Sequence, residues 1–369
     1  MPNLDKQRVV LAMSGGVDSS TAAIILSRDG YEVIGVTMKL WRDDERRWDT
    51  AVKSCCSLDS VRDAKYICHK LGIPHYTIDY TEQFKSLVID NFTDEYFAGK
   101  TPNPCIRCNT YMKWGELYRL ARQLDAQYIA TGHYARIMYD ETTGEYSLLK
   151  GIDATKDQSY ALWGIERKLI SRTLLPLGGE RKENIRGILK EYGIYFADKA
   201  ESQEICFIPD NDLEGWLRSK AKEHNLEIPD GDILNENGEI VGRHKGFIHY
   251  TIGQRKGLGI AHPRPLYVKR VNSDKNIITV AEDEGLKVRS FTVDRLNWLI
   301  NEPAAGNVLS FDVKIRYRHK PAPAKCVLNE DGAVEVSFAE PQRAVTPGQS
   351  AVFYDSEKVC GGGIIECVS

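Results

Sequence analysis

The sequence predicts an α/β protein: a helix-covered parallel sheet in residues 1–210, a change of pattern over 211–284 and an antiparallel sheet or small barrel in 285–369. Three observations predict it. Short β-branched runs alternate with helical periods through the first part. A Ser-Gly-Gly turn joins the first strand to the first helix. Beyond residue 210 the helical periods give way to short strand candidates separated by turns.

The elements follow in order. VVLAM (9–13) is a strand that runs into SGGVDSS (14–20), and a helix over about 18–28 places Ala22, Ala23 and Leu26 on one side and stops at Gly30. YEVIGVTM (31–38) is a buried strand. Val61, Ala64, Cys68 and Leu71 give residues 58–71 a helical period ended by Gly72, and IPHYTID (73–79) is the next strand. Thr81 is placed to cap a helix carrying Phe84, Val88, Phe92 and Tyr96. A further helix carries Trp114, Leu117, Ala121 and Leu124, and QYIAT (127–131) returns as a strand. Ligands of such sheets bind beyond the carboxyl ends of the strands, where residues 14–16 and Thr131–Gly132–His133 fall. Later, NENGEIVG (235–242) reads as a hairpin, IGQRKGLG (252–259) as a basic Gly-rich loop, and VLSFDVKIRYRH, AKCVL, AVEVSFAEP and SAVFYD as strands of an antiparallel sheet or small barrel.

A net charge of −3 excludes a uniformly basic nucleic-acid binder but leaves room for a local basic face. In KIRYRHK (314–320), strand alternation sends Lys314, Arg316, Arg318 and Lys320 to one face, suited to a phosphate backbone. No apolar run has the length of a membrane span. Charge at Asp5 and Lys6 before the strand at Val9 leaves no room for an export signal, so a cytoplasmic protein is expected. Nine cysteines, an odd number, fit reduced working thiols better than a disulfide scaffold.

The chemistry sits in three motifs. In SGGVDSS, two glycines let backbone N–H groups close on an anion, and the helix that follows aims its positive end there. No GK[ST] follows, so this is not a Walker loop. The string resembles the pyrophosphate loop of ATP pyrophosphatases, in which Asp18 would help position Mg²⁺. In TPNPCIRCN (101–109), two prolines stiffen a loop that presents Cys105 and Cys108 as C-x-x-C, and Arg107 and Lys113 favour a thiolate there. In AESQEICFIP (200–209), the polar neighbours of Cys206 argue against a simple core cysteine. Cys55 and Cys56 read as a loop before a helix, Cys68 as core, and Cys326, Cys360 and Cys367 as packing. ATP activation beside separated thiols points to sulfur transfer: adenylation turns a carbon-bound oxygen into a leaving group, and a persulfide supplies the sulfur.

SGGVDSS, GVTMKLW (35–41), TPNPCIRCN, TGHYAR (131–136), KDQSYAL (156–162), SQEICFIP, GQRKGLG and the PGQ at 347–349 together resemble the ordered motifs of the tRNA-specific 2-thiouridylases. The resemblance implies thiolation of a wobble uridine in tRNA, with ATP cleaved to AMP and pyrophosphate by an ATP-pyrophosphatase (adenine nucleotide alpha hydrolase-like) domain in residues 1–210, followed by a small central domain in 211–284 and a C-terminal antiparallel β-barrel in 285–369, both meeting tRNA. It also implies a persulfide-donating sulfur carrier or cysteine desulfurase as partner. It puts ATP at Ala12, Met13, Ser14, Gly15, Gly16, Val17, Asp18 and Ser19, with Met38 and Gly132 near the adenosine. Cys108 falls on the nucleophile and Cys206 on the persulfide carrier. Asn103, Pro104 and Cys105 fall where the target base is met. His133, Lys156, Asp157, Gln158, Arg316, Tyr317 and Gln349 fall where tRNA is met. Cys105 stands where one branch has Asp, so Cys105, Cys108 and Cys206 are also candidate ligands of an iron–sulfur cluster. A persulfide relay and a cluster-borne sulfide both stay open on the sequence. Two rivals are an adenylating ATP pyrophosphatase with an amine acceptor, and a nucleotide-binding thiol or iron–sulfur sensor.

Overall fold

The computed structural model describes residues 6–41, 58–199 and 204–368. Cys55 and Cys56, and Glu201, Ser202 and Gln203 beside Cys206, lie outside the described residues. The chain forms two compact units, one of Met1–Val88, Cys105–Asn211 and Glu357–Val359, the other of Ile89–Pro104, Asp212–Ser356 and Cys360–Ser369.

The first unit is built on β1 (Arg8–Ala12), β2 (Glu32–Lys39), β3 (His75–Asp79) and β4 (Tyr128–Ala130), followed by β5 (Ala135–Asp140), β6 (Glu145–Lys150) and β7 (Thr173–Leu174). The sheet order is β3-β2-β1-β4-β7, with every pairing parallel. Val9, Val10 and Leu11 are fully buried, as a strand covered on both faces requires. Helices Val17–Arg28, Leu58–Leu71 and Lys182–Glu191 share one core, in which Ala22, Ala23 and Leu26 meet Ala64, Cys68, Ile185 and Leu189. Burial pushes the Cys68 thiol up to about 12, as a core cysteine should be. The chain winds outward from β1 to β3, then returns to lay β4 on the other side of β1. The crevice between the ends of β1 and β4 is therefore the switch point of the sheet, the usual ligand site of such folds.

Three local expectations change in this unit. Thr81 is the first residue of its helix and not the cap; the Asp79 carboxylate accepts the Thr81 N–H at 2.9 Å. The C-x-x-C lies on helix: Pro104 opens a short helix to Arg107, and Cys108 opens a π-helix to Leu117. The antiparallel hairpin β5–β6 interrupts the expected strand–helix alternation.

In the second unit, β8 (Gly231–Leu234), β9 (Ile240–His244), β10 (Tyr267–Asn272) and β11 (Ile277–Ala281) form a sheet ordered β10-β11-β8-β9. The Asn-Gly signal holds: the Asn235 side chain accepts from Asn237 and Glu239 N–H groups, and Gly238 takes φ +83°. The barrel strands are β12 (Lys287–Trp298), β13 (Val308–Lys314), β14 (Ala322–Leu328), β15 (Val334–Arg343), β16 (Ser350–Asp355) and β17 (Lys358–Val368). They run β12-β15-β14-β13-β16-β17, and a β12–β17 pairing closes the ring. Phe291, Val313, Cys326, Val336, Phe338, Phe353 and Ile365 fill it. Cys326 and Cys360 are core as expected, whereas Cys367 is exposed.

One expectation fails here. β13 ends at Lys314, and residues 316–318 form a turn held by His319 N–H on Arg316 O at 3.0 Å. The alternating basic face over 314–320 does not exist. Val313 pairs antiparallel with Ala322, so the residues between them must reverse the chain. Among the described residues no helix is long and apolar enough to cross a membrane.

Candidate active site

The site starts at the end of β1. Gly15 takes φ +65°, a left-handed conformation that aims successive N–H groups into one concavity. Ser14 N–H and Oγ both lie 3.2 Å from Ser19 Oγ, which fixes the loop on itself. The helix Val17–Arg28 begins at Gly16 with no side-chain cap, so its first N–H groups face the loop. Ala12 and Met13 are held in the sheet by Val36, and Val17 is buried beneath. Met38 is buried in β2. Gly132, past the end of β4, packs on the same helix start: a Cβ there would lie 2.9 Å from Asp18 C and Ser19 N.

Two lysines distant in sequence complete the loop. Lys182 Nζ donates to Asp18 Oδ1 at 2.7 Å, and Tyr134 OH donates to the same oxygen at 2.7 Å. Lys199 Nζ reaches Gly15 O at 3.3 Å and Asp63 Oδ2 at 2.7 Å, and Tyr195 OH also bonds Asp63. The bond to Asp63 and burial push the Tyr195 phenol up to about 12. The loop lacks a Walker lysine in sequence, yet the fold delivers an ammonium to it. Neither lysine was found by motif reading. A signal existed for Lys182: it stands three residues before Ile185 and seven before Leu189, on the stripe that faces the core. A lysine on an inward stripe needs an anionic partner.

The thiols come next. Arg107 Nε donates to Leu87 O at 2.9 Å, tying the turn before Cys108 to the segment after Phe84. Phe207, next to Cys206, packs its ring 5.8 Å from that of Phe84, and Ile208 N–H closes a turn on Ile205 O at 3.1 Å. Phe84 and Leu87 are three residues apart, so both thiol segments anchor within one helical turn of each other. Cys108 and Cys206 are half-buried and Cys105 is exposed. Among the described residues no three His, Cys, Asp or Glu side chains gather as a metal site.

Several residues expected to meet RNA are turned inward. His133 is 8 % exposed, with Nδ1 2.7 Å from Thr131 Oγ1 and Nε2 3.4 Å from Lys113 Nζ. Asp157 accepts from Gly151 and Ser159 N–H groups, and Gln158 clasps the Tyr134 backbone through both its main chain and its side chain. These two residues brace Tyr134, whose hydroxyl holds Asp18. Lys156 is half-buried in the same turn.

The second unit gathers its own set. Pro347 O accepts from Thr101 N–H at 3.0 Å, and Gln349 Nε2 donates to Thr101 O at 2.8 Å. Gly348 has φ +88°, and a Cβ there would lie 2.8 Å from Thr101 N. The PGQ motif therefore grips the segment that leads into Asn103 and Pro104. Tyr317 is 43 % exposed in its turn, with Lys314 Nζ 5.5 Å from its ring centroid and Arg316 beside it.

Comparison with known proteins adds three family matches: a tRNA methyl transferase HUP domain over residues 7–210, a tRNA methyl transferase PRC-barrel domain over 222–282 and an aminomethyltransferase beta-barrel domain over 288–365. The chain is similar to the tRNA-specific 2-thiouridylase MnmA of Geotalea uraniireducens, 44 % identical over 99 % of this chain and 96 % of that protein. It is 46 % identical to tRNA-specific 2-thiouridylase MnmA 2 of Thermoanaerobacter sp., over 97 % of this chain and 98 % of that one. The Clostridioides difficile 2-thiouridylase matches at 44 % over 98 % of each chain. Among solved structures, a 4-thiouridine synthetase–RNA complex with bound ATP is 20 % identical, with a TM-score of 0.38 over 59 % of this chain and 51 % of that one, a likeness too distant to bear on function.

Proposed function

The chain belongs to the tRNA-specific 2-thiouridylase family, and we propose that it adenylates the C2 oxygen of a wobble uridine and replaces that oxygen with sulfur carried on Cys206. The supporting observation is that one unit holds both a lysine-backed phosphate loop at the β1–β4 crevice and two thiol segments anchored on one helical turn. The HUP-domain family that matches residues 7–210 takes its name from methyl transfer. The loop, the thiols and the names of the relatives favour thiolation instead.

The reaction balances in three displacements. The uridine C2 oxygen attacks the α-phosphorus of ATP, and pyrophosphate leaves. The terminal sulfur of the Cys206 persulfide attacks C2, and AMP leaves with the oxygen. Cys108 thiolate then attacks Cys206 Sγ, so that 2-thiouridine departs and a Cys108–Cys206 disulfide remains, which an external dithiol reduces. The donor that recharges Cys206 is a persulfide-bearing carrier or a cysteine desulfurase.

Asp18, held at the loop by Lys182 and Tyr134, would hold Mg²⁺, which would neutralise charge on the phosphates of ATP. We favour the relay over the cluster alternative, for which Cys105, Cys108 and Cys206 would be the ligands: among the described residues no group of three His, Cys, Asp or Glu side chains stands as a metal site. Full activity of iron-free protein agrees with the relay; activity that tracks bound iron contradicts it.

We assign the tRNA-facing roles to the central and barrel domains, divided near residues 210 and 285, with Arg316 and Tyr317 on the anticodon arm. The location is cytoplasmic. Arg316→Ala is expected to reduce the salt slope of tRNA binding by about one while ATP binding is unchanged, read from affinities at several salt concentrations. An unchanged slope counts against a phosphate contact. Lys182→Met is expected to lower ATP turnover roughly a hundredfold, because Asp18 loses its counter-charge and the phosphates lose a donor. A rate within threefold of wild type removes Lys182 from the site. The adenylation step itself is tested by withholding the sulfur donor. Label from α-³²P ATP should then appear on the tRNA, and label that never leaves free nucleotide contradicts adenylation.

A further inference from the structure

Arg107 and Lys113 both stand near the C-x-x-C in sequence, and the fold uses them differently. Arg107 bonds Leu87 O and lies 4.7 Å from the centroid of the Tyr111 ring. Lys113 Nζ donates to Asn109 Oδ1 at 2.8 Å and lies 3.4 Å from His133 Nε2. Both partners are uncharged. Asn109 is fixed by its own amide on Ala161 O at 2.9 Å. His133 is deeply buried, and burial together with the neighbouring ammonium drives it well below the usual histidine range. Lysine only donates, so Nε2 accepts and Nδ1–H donates to Thr131 Oγ1, a tautomer assigned from the bonding. Trp114 packs on the imidazole with ring centroids 5.8 Å apart and bonds Thr173 Oγ1 at 2.8 Å, which holds the whole group in place.

A half-buried ammonium among neutral acceptors is costly unless an anion arrives to share it. Two of its three N–H groups are used and one remains. Its place names the anion. His133 follows Gly132, which packs on the start of the loop helix at Asp18 and Ser19. Asn109 follows Cys108. Lys113 thus spans from the wall of the phosphate loop to the thiol helix. In the proposed reaction the α-phosphorus is joined to the thiolated carbon through one oxygen, so the α-phosphate must stand between loop and thiols.

We propose that Lys113 is a further catalytic residue that binds the α-phosphate, first within ATP and then on AMP as it leaves C2, and that His133 is a positioning residue that aims it. This assignment rests on the adenylation reading above. The third N–H of Lys113 takes the phosphate oxygen on which negative charge develops as the C2–O bond breaks. The inward placement of His133 then has a reason that RNA contact does not supply.

The test compares AMP with adenosine, which differ only in that phosphate, by calorimetry on the full chain. Lys113→Gln should weaken AMP about tenfold or more and leave adenosine unchanged, and Lys113→Arg should keep AMP within about threefold of wild type. His133→Leu should weaken AMP selectively, and His133→Gln, which keeps an acceptor, should restore it. Footprinting of the wild-type protein needs no variant: AMP should shield Lys113 from an amine-acylating reagent, whereas adenosine should not. Wild-type AMP affinity in Lys113→Gln, or Lys113 acylated equally with AMP and with adenosine, overturns the proposal. Neither arm uses tRNA or sulfur. Failure here with 2-thiouridine still formed removes Lys113 alone, whereas failure to form 2-thiouridine with these results intact removes the reaction reading.

Discussion

Cys206→Ser is expected to abolish 2-thiouridine formation, by roughly a thousandfold or more, while leaving adenylation of tRNA in place. The residue lies in a tight turn whose neighbour Phe207 is packed on Phe84, so exchange of Sγ for Oγ leaves the fold intact. A hydroxyl cannot carry a persulfide. Adenylated tRNA should therefore accumulate, detectable as α-phosphate label on the RNA. Cys108→Ser should differ: one sulfur reaches C2 and stays linked to Cys206, giving a covalent enzyme–tRNA adduct that a thiol releases. A Cys206→Ser protein that still thiolates would place the sulfur elsewhere and return the amine-acceptor rival to consideration.

The second large effect is structural in origin. Gly15→Ala is expected to remove ATP turnover, by roughly a thousandfold, and to cost on the order of 2–4 kcal/mol of stability. A Cβ at Gly15 would stand 1.8 Å from Ser60 O, a main-chain atom of the helix Leu58–Leu71 that cannot move aside cheaply. The residue also has φ +65°, which disfavours any side chain. Gly16→Ala is the control: its Cβ would meet only Ser14 Oγ, at 3.5 Å, so most turnover should survive. Thermal melts and steady-state ATP kinetics of the two variants separate these cases. Equal behaviour of the two would mean that the close approach to Ser60 does not shape the loop.

Much of this site was legible because chemistry and chain order coincide in it. β1, the Ser-Gly-Gly turn and the first helix are contiguous, so one string carries strand, nest and dipole. Gly132 was legible as the turn after β4, although only the fold shows that it is glycine because the loop helix touches it. Lys182 and Lys199 were not legible as loop partners. They lie 164 and 184 residues from the loop atoms they bond, so no local pattern names the loop as partner, although the inward stripe marks Lys182 as needing an anion. The direction of His133, Asp157 and Gln158 was equally hidden, since a polar residue at a strand end can face inward or outward. The basic stretch 314–320 misled for a topological reason: its alternation suits a strand, but antiparallel return of β14 onto β13 leaves those residues to the turn. Pro104 misled in the opposite sense. It was read as loop punctuation, whereas proline is well placed at the first position of a helix.

The most direct measurement is nucleoside mass spectrometry after anaerobic incubation of the pure protein with unmodified tRNA, Mg-ATP and a persulfide donor. The account predicts 2-thiouridine at the wobble position, formed only with ATP and absent with Cys206→Ser. No thiolated nucleoside with any persulfide or sulfide donor, from protein that still binds ATP, would contradict it.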